Sequence, residues 1–262
     1  MIAVGIIIVT SYDSGWTSYD SSWTTAAIDA IAVVVQPMAA VTIAMIAKLL
    51  PYLSMTLIFI LFSIQYSAYQ TPICKSKRKF KDTYPKDPLA AVLKALLDKT
   101  KLNPSEVGDI GVGTILAPGS QRANECRMAV FYASFPKTVP VRTINRQCSS
   151  GLQAVANVAA SIKAGFYDIG IGAGLESMIT NSVAWEGSIN AKVNTLQRAQ
   201  DCLLPMGITS ENVAHHYGVT QKEQDQAAVE SHRRAVAATA SGEFKDEIIP
   251  ITMKNVKCCW FC

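Results

Sequence analysis

The sequence is short of charge, and its basic residues follow no pattern. Only 17% of its 262 residues are charged, the formal net charge is +4, and the 24 Lys and Arg form no stripe interleaved with aromatic residues. Proteins that bind nucleic acid need positive charge clustered on one face. The composition therefore argues against a nucleic-acid partner.

The cysteines are few and irregularly spaced. Seven cysteines without a repeating interval argue against the disulfide framework of a small secreted protein and favour a reducing compartment. Half of the residues are hydrophobic, and 262 residues are enough for one or two folded domains.

The first 66 residues almost lack charge and form an apolar leader unlike the rest of the chain. Residues 31–64 are almost wholly apolar, interrupted by Pro37, Lys48 and Pro51, and each half is close to the lower limit of about 17 residues for a membrane helix. The leader is interpreted as a membrane segment, as a signal peptide, or as sequence foreign to the ancestral domain, such as a mis-spliced start. The last is favoured, and no basic residue precedes the apolar run as a signal peptide requires.

Beyond the leader, apolar residues repeat at regular intervals. Asp87 is predicted to cap a helix with Pro88 at its first position, and Lys163 with Gly165 to close another. Alternating helices and short apolar strands predict an α/β domain with a largely parallel sheet. The predicted helices cover 88–99, 125–135 and 152–162, and the predicted strands lie around 110–115, 139–143 and 168–174.

Cys148 falls where a predicted strand ends and a predicted helix begins. The free backbone N–H groups and the dipole at a helix start favour a thiolate, which is the nucleophilic form of cysteine. Ser149, Ser150 and Gly151 are small residues that cap a helix and let a substrate approach the backbone. Because unpaired cysteines are most often buried and inert, position alone leaves a reactive and a structural role open.

The residues around Cys148 form long, specific motifs. Asn145–Ala154 resembles the nucleophile motif of thiolases, and Tyr167–Met178 resembles the strand and turn that follow it. The resemblance is to the plant form of the peroxisomal 3-ketoacyl-CoA thiolases and runs from about Tyr69 to about Ile251. Further matching segments are Thr71–Ser76, Leu116–Gly119 and Pro205–Gly207.

This resemblance implies an acyltransferase of fatty-acid beta-oxidation. It would cleave a 3-oxoacyl-CoA with CoA into acyl-CoA and acetyl-CoA, with CoA as cosubstrate, no permanently bound cofactor and no metal. Cys148 would carry the acyl group, and its own backbone N–H would contribute to an oxyanion hole. Met206 matches the family residue beside the acyl chain, although an ordinary core methionine is an open alternative. Location in the peroxisome is implied by resemblance alone, since no targeting signal is visible.

The resemblance also implies a domain organisation. A thiolase-like N-terminal half, layered α/β/α with a mostly parallel sheet, would span 67–178, and the loop domain that covers CoA would span 179–251. Thr220–Glu223 is predicted to be a capping box that opens a helix ending near Gly242. Arg233 and Arg234 on this helix either face the nucleotide phosphates or, as favoured, lie on a solvated face. The leader 1–66 and the tail 252–262 resemble no thiolase.

Several expected thiolase features are missing from the sequence. The family's second half contributes an Asn, the His of Gly-His-Pro and a second Cys in Cys-x-Gly, and none of these motifs is present; Gln70 also replaces a usual Arg. The chain is therefore expected to lack the C-terminal half. Two hypotheses follow: an acyltransferase acting through Cys148, or a non-catalytic fragment that is attached to a membrane or associates with an intact thiolase. A homodimer, or a heterodimer with an intact thiolase, would cover apolar surface.

Three other motifs carry weaker hypotheses. Gly170, Gly172 and Gly174 lack the last glycine of a dinucleotide fingerprint, and glycines in a strand indicate close backbone approach instead. The Cys-x-x-Cys at 259–262 has no second pair for a metal site. The three histidines, His215, His216 and His232, lack metal-binding spacing and are predicted to lie on helices.

Overall fold

The computed structural model describes residues 2–11, 64–73, 80–116, 122–178, 189–253 and 256–258. The chain divides into two units. The first contains the described residues up to 178 and those from 244 onward, and the second contains 189–243.

A five-stranded sheet is the centre of the first unit. Its order is β2-β1-β5-β3-β4; β3 pairs in parallel with β4 and β5, whereas β1 runs antiparallel to both of its neighbours. The prediction of a largely parallel sheet is therefore confirmed, with one antiparallel strand inside it. The strands are β1 (Ile2–Ser11), β2 (Ile64–Gln70), β3 (Asp109–Gly113), β4 (Val141–Ile144) and β5 (Ile169–Ser177).

Three helices of this unit match the sequence predictions. They are α1 (Lys86–Thr100), α2 (Ala123–Tyr132) and α3 (Ser150–Lys163). The predicted cap of α1 was wrong, because Pro85 is the N-cap and Asp87 lies in the first turn. A carboxylate in the first turn still interacts favourably with the positive end of the helix dipole. Helix α2 ends before the predicted residue 135, and Ser134 just beyond it has a left-handed φ of 68°. Gly165 follows α3 with φ of 78°, as its predicted closing role requires.

The two faces of β5 carry different side chains, and each face packs against different helices. Ile171, Ala173 and Leu175 belong to the main apolar core, which includes buried residues of α1 and α2. The alternate positions are glycines that lie against α3: a Cβ on Gly170 would come within 2.6 Å of the Val158 side chain. Because successive strand residues point to opposite faces, the sheet lies between two helical layers. The α/β/α architecture is confirmed.

The structure describes only the two ends of the leader. Residues 2–11 form β1, and Ile64 begins β2, so these described parts of 1–66 are strands of the sheet in the first unit. Residues 31–63 of the predicted membrane segment lie outside the described residues. Within the described ranges, no helix has the length and apolarity needed to cross a bilayer.

The second unit is helical. The α-helices described in it are α4 (Gln197–Asp201), α5 (Met206–Tyr217) and α6 (Gln221–Ser241). The capping box is confirmed, because the Thr220 side chain accepts from the N–H of Glu223 and the Glu223 carboxylate accepts from the N–H of Thr220. Gly242 ends α6 with φ of 82°. In the first unit, β6 (Ile251–Met253) pairs with β7 (Val256–Cys258).

A glycine where α3 meets the sheet provides a test of this packing. A Cβ at Gly113 would lie 2.3 Å from the backbone carbonyl carbon and oxygen of Ser150. We expect Gly113→Ala to lower the free energy of unfolding by about 1–3 kcal/mol, because helix or strand must shift. Urea denaturation measures this loss.

The matched control is Gly207→Ala in α5. Nothing lies within 4 Å of a Cβ at Gly207, and alanine has the higher helix propensity. We expect this variant to be as stable as the parent or slightly more stable. Equal stability of the two variants would contradict the close approach at Gly113.

Candidate functional site

Cys148 lies in an exposed turn between β4 and α3. Strand β4 ends at Ile144, Ser149 is the N-cap, and the helix begins at Ser150. The sulfur-bearing residue is exposed and immediately precedes the cap of a helix, whose first N–H groups have no helical acceptor. The predicted placement of Cys148 between strand and helix is confirmed.

The Ser150 hydroxyl holds the turn in place. Its Oγ accepts from the backbone N–H of Arg146 at 2.8 Å and donates to the carbonyl of Gln147 at 2.5 Å. Ser150 is buried, with 3% of its surface exposed, so solvent does not compete for these bonds. Gln147 has a left-handed φ of 51°. The turn thus has a defined shape, with Cys148 fixed between two bonded residues.

Glycines bring the start of α3 against the ends of β3 and β5. Besides the contact at Gly113, a Cβ on Gly174 would lie 3.6 Å from the Cα of Gly151. The Cys148 turn therefore lies at the carboxyl edge of the parallel strands, where α/β proteins bind ligands. The prediction that the glycines of β5 mark close backbone approach is confirmed.

A second loop is held at the same edge by Glu176, near the end of β5. Its Oε2 accepts from the backbone N–H groups of Ile115 at 2.9 Å and Leu116 at 3.3 Å. The buried Arg122 donates from Nη2 to the carbonyl of Leu116 at 2.8 Å and pairs with Glu125. The loop after β3 is thus held from both sides by charged groups.

Glu176 and Arg122 were not among the residues predicted from the sequence. Glu176 bonds backbone groups about 60 residues away, and Arg122 bonds a carbonyl six residues away, so sequence spacing does not reveal either contact. The one available signal was a carboxylate within the otherwise apolar and glycine-rich run of β5. A charged residue in such a run requires partners.

Two other cysteines contrast with Cys148. Cys126 in α2 is fully buried, and burial, with a smaller contribution from Glu125, raises the pKa of its thiol to about 12. Cys202 is exposed, and its Sγ donates to the carbonyl of Arg198 at 3.4 Å. Cys202 follows α4 and has no long helix beginning at it. Of the three, Cys148 alone combines exposure with the start of a long helix.

The remaining candidates fall in several places. Met206 is the first residue of α5 in the second unit and is 48% exposed, so it is not a buried core methionine.

Arg233 and Arg234 are exposed and both pair with Glu230 at 2.7 Å, and these hydrogen bonds lower the pKa of Glu230 to about 2. This pairing agrees with a solvated helix face. His215, His216 and His232 lie on helices as predicted. The Cys-x-x-Cys at 259–262 lies outside the described residues.

In the part of the chain that the structure describes, no three His, Cys, Asp or Glu side chains come together as metal ligands.

Comparison with known proteins identifies the family. The profile "Thiolase, N-terminal domain" matches residues 65–259. The chain belongs to the thiolase family. It is 73% identical over 191 residues to peroxisomal 3-ketoacyl-CoA thiolase 2 of Arabidopsis thaliana, and 48% identical over 184 residues to peroxisomal 3-ketoacyl-CoA thiolase B of Mus musculus. The resemblance predicted from the motifs is confirmed.

The match covers most of this thiolase chain but less than half of these relatives. It includes 72% of the chain against 41% of the Arabidopsis protein, and 70% against 43% of the mouse protein. The fold agrees with the dimeric peroxisomal thiolase of Saccharomyces cerevisiae: the TM-score is 0.67 at 35% identity, covering 73% of this chain and 50% of the yeast chain. The thiolase-like fold predicted from the motifs is confirmed.

The thiols provide a test of the site. At pH 8 a thiol with a pKa of about 12 is ionised in about one molecule in 10⁴. We expect brief treatment of the native protein with iodoacetamide to modify Cys148 and Cys202 and to leave Cys126 unmodified, because Cys126 is both protonated and buried. Peptide mass mapping measures each site.

Unfolding the protein in urea before alkylation serves as the control, since it exposes Cys126 and should make all three cysteines reactive. Protection of Cys148 in the native protein would contradict the exposed turn described here.

Proposed function

We propose that this chain forms an acyl-thioester on Cys148 in a thiolase reaction. The Cys148 thiolate attacks the 3-keto carbon of a 3-oxoacyl-CoA and forms a carbon–sulfur bond. The bond between C2 and C3 breaks, its electron pair stays with C2, and C2 takes a proton as acetyl-CoA leaves. The thiol of a second CoA then attacks the acyl-thioester, leaves with the acyl group as acyl-CoA, and frees the sulfur of Cys148. These are the steps of fatty-acid beta-oxidation that the family resemblance implies.

The observation that carries this proposal is the exposed sulfur held at a helix start. The turn is fixed by Ser150, and the loop after β3 is fixed at the same edge by Glu176. A preorganised site reacts faster because the geometry is set before the substrate arrives. In the proposal, the backbone N–H of Cys148 also stabilises the oxyanion that develops on the 3-keto oxygen.

Proton transfer limits what these residues achieve by themselves. Among the described residues, no side chain forms a hydrogen bond with the sulfur of Cys148. A positioned general acid or base contributes roughly 10²–10⁴-fold to rate. We therefore propose acylation of Cys148 as the step that the described site supports, with complete turnover slower than in a thiolase that provides such groups.

The partners follow from the relatives. The substrates in this proposal are a 3-oxoacyl-CoA and CoA, and Met206 lies beside the acyl chain. Because the yeast relative is dimeric, the proposed assembly is a homodimer or a heterodimer with an intact thiolase. The Arabidopsis and mouse relatives are named peroxisomal, which supports the peroxisome as the proposed location.

Acylation is tested by intact mass measurement. After incubation with acetyl-CoA at neutral pH and quenching in acid, we expect the chain to gain the mass of one acetyl group, because the reverse of the proposed second step loads Cys148. Fragmentation should place the group on Cys148. Hydroxylamine should remove it, since thioesters are cleaved by this reagent.

Two variants are matched controls for this experiment. Cys148→Ala removes the sulfur and should abolish the adduct. Cys202→Ala removes the other described exposed cysteine and should leave the adduct unchanged. Absence of acetylation in the parent chain, or acetylation on Cys202 alone, would instead support the non-catalytic fragment.

A further inference from the structure

The peptide group between Gln147 and Cys148 is anchored at one end and free at the other. The carbonyl of Gln147 accepts two hydrogen bonds from Ser150, one from Oγ at 2.5 Å and one from the backbone N–H at 3.0 Å. The N–H of Cys148 donates to no group in the described parts of the chain. We propose that Ser150 is a positioning residue, which aims this N–H at the oxyanion through the shared peptide group. This inference rests on the proposed acyl transfer to Cys148.

The direction of the N–H follows from the direction of the carbonyl. A peptide group is planar and trans, so its C=O and N–H point in opposite directions. Ser150 is the first residue of α3 and is buried, so the Gln147 carbonyl points toward the buried start of the helix. The N–H of Cys148 therefore points away from the helix start. Because Cys148 is exposed, a substrate can reach this side of the turn.

The conformation of Gln147 is held at both of its backbone polar groups. Its N–H donates to Oδ1 of Asn145 at 3.1 Å, and its carbonyl is held by Ser150. Between these bonds its φ is 51°, in the left-handed region that residues with a side chain rarely adopt. Without the bonds, Gln147 would relax toward a common conformation. The N–H of the next residue, Cys148, would then rotate away from its present direction.

The left-handed residues with side chains in the first unit fall into two groups. Lys101 and Ser134 follow α1 and α2, where this conformation commonly ends a helix. Arg122 and Gln147 instead precede helices, and both lie in segments at the candidate site. Unusual backbone conformations that the surrounding bonds maintain are concentrated at functional sites. The conformation of Gln147 therefore serves to orient the peptide group of Cys148.

Two reactions of the same sulfur separate the aim of the N–H from access to the thiolate. Attack of the Cys148 thiolate on p-nitrophenyl acetate forms a carbon–sulfur bond and a tetrahedral oxyanion. The bond from carbon to the phenolic oxygen then breaks, and its electron pair leaves with p-nitrophenolate. Displacement of iodide from iodoacetamide also needs the thiolate but forms no oxyanion. A correctly aimed N–H therefore accelerates only the first reaction.

The proposal is tested with Ser150→Ala in a full chain that also carries Cys202→Ala. We expect release of p-nitrophenolate, after subtraction of the Cys148→Ala background, to slow at least about tenfold, because losing one oxyanion donor costs roughly 10²–10³-fold. Alkylation of Cys148 by iodoacetamide, measured by peptide mass mapping, should stay within about twofold of the parent, since thiolate and access remain. An unchanged ester rate, or equal slowing of both reactions, would overturn the proposal.

The matched control removes another hydroxyl from the same helix. Ser161 Oγ donates to the carbonyl of Asn157 at 2.9 Å, within α3 and away from the turn. We expect Ser161→Ala to leave both rates unchanged. If this variant lost about as much of the ester rate as Ser150→Ala, the effect would come from any hydroxyl of α3, and the assignment to Ser150 would be wrong.

A second pair of variants decides the question if Ser150→Ala does not fold. Gln147 is exposed, so its side chain can be exchanged without disturbing the core. Valine resists a left-handed φ, whereas asparagine tolerates it. We expect the ester reaction of Gln147→Val to be at least about fivefold slower than that of Gln147→Asn, with similar alkylation in both. Equal ester rates in this pair would overturn the proposal.

The inference and the proposed function fail in different ways, because p-nitrophenyl acetate requires no recognition of CoA. If acetyl-CoA does not acetylate the parent but the ester reaction depends on Ser150, the proposed function fails and the positioning role stands. If acetyl-CoA acetylates the parent and Ser150→Ala at equal rates, the positioning role fails and the proposed function stands.

Discussion

The position of Cys148 depends on how closely helix α3 approaches the sheet. Four residues without side chains determine this distance, because a Cβ at Gly113, Gly170 or Gly172 would lie within 2.8 Å of α3 residues and Gly174 lies against Gly151. A side chain at Gly113 or Gly172 would meet backbone atoms of α3 and move the helix outward, and the turn that precedes the helix would move as well. Catalytic groups must be held to well within an ångström of their productive positions. The packing that stabilises the fold therefore also positions the sulfur.

The comparison of Cys148 with Cys126 shows how the same side chain acquires opposite properties in one domain. Cys126 lies inside the apolar core, where burial raises its thiol pKa to about 12. It contributes to packing as a small hydrophobic residue. Cys148 lies outside the core, yet its neighbour Ser150 is buried and fully bonded. An exposed nucleophile on a buried support combines access for a substrate with a fixed orientation.

Local sequence signals predicted much of this structure, whereas long-range contacts escaped them. The position of Cys148, the capping box at Thr220 and the glycine contacts of β5 all arise from residues close in sequence, and each was predicted correctly. The cap of α1 was placed at Asp87, since a good capping residue before a proline is a strong local signal, but the chain enters the helix at Pro85. Glu176 was missed because its partners lie about 60 residues away.

The same distinction explains why β1 was not predicted. A continuous apolar run suits a membrane segment, a core helix or a fully buried strand, and periodicity does not separate them. Only the partners decide, and those of β1 begin at Ile64 and Ile169, far along the chain. The thiolase-like residues supply strands on both sides of a gap, and the residues that fill it come from a segment with no thiolase resemblance. Paired backbone groups in a sheet are compatible with many sequences, whereas the candidate site depends on the exact residues around Cys148.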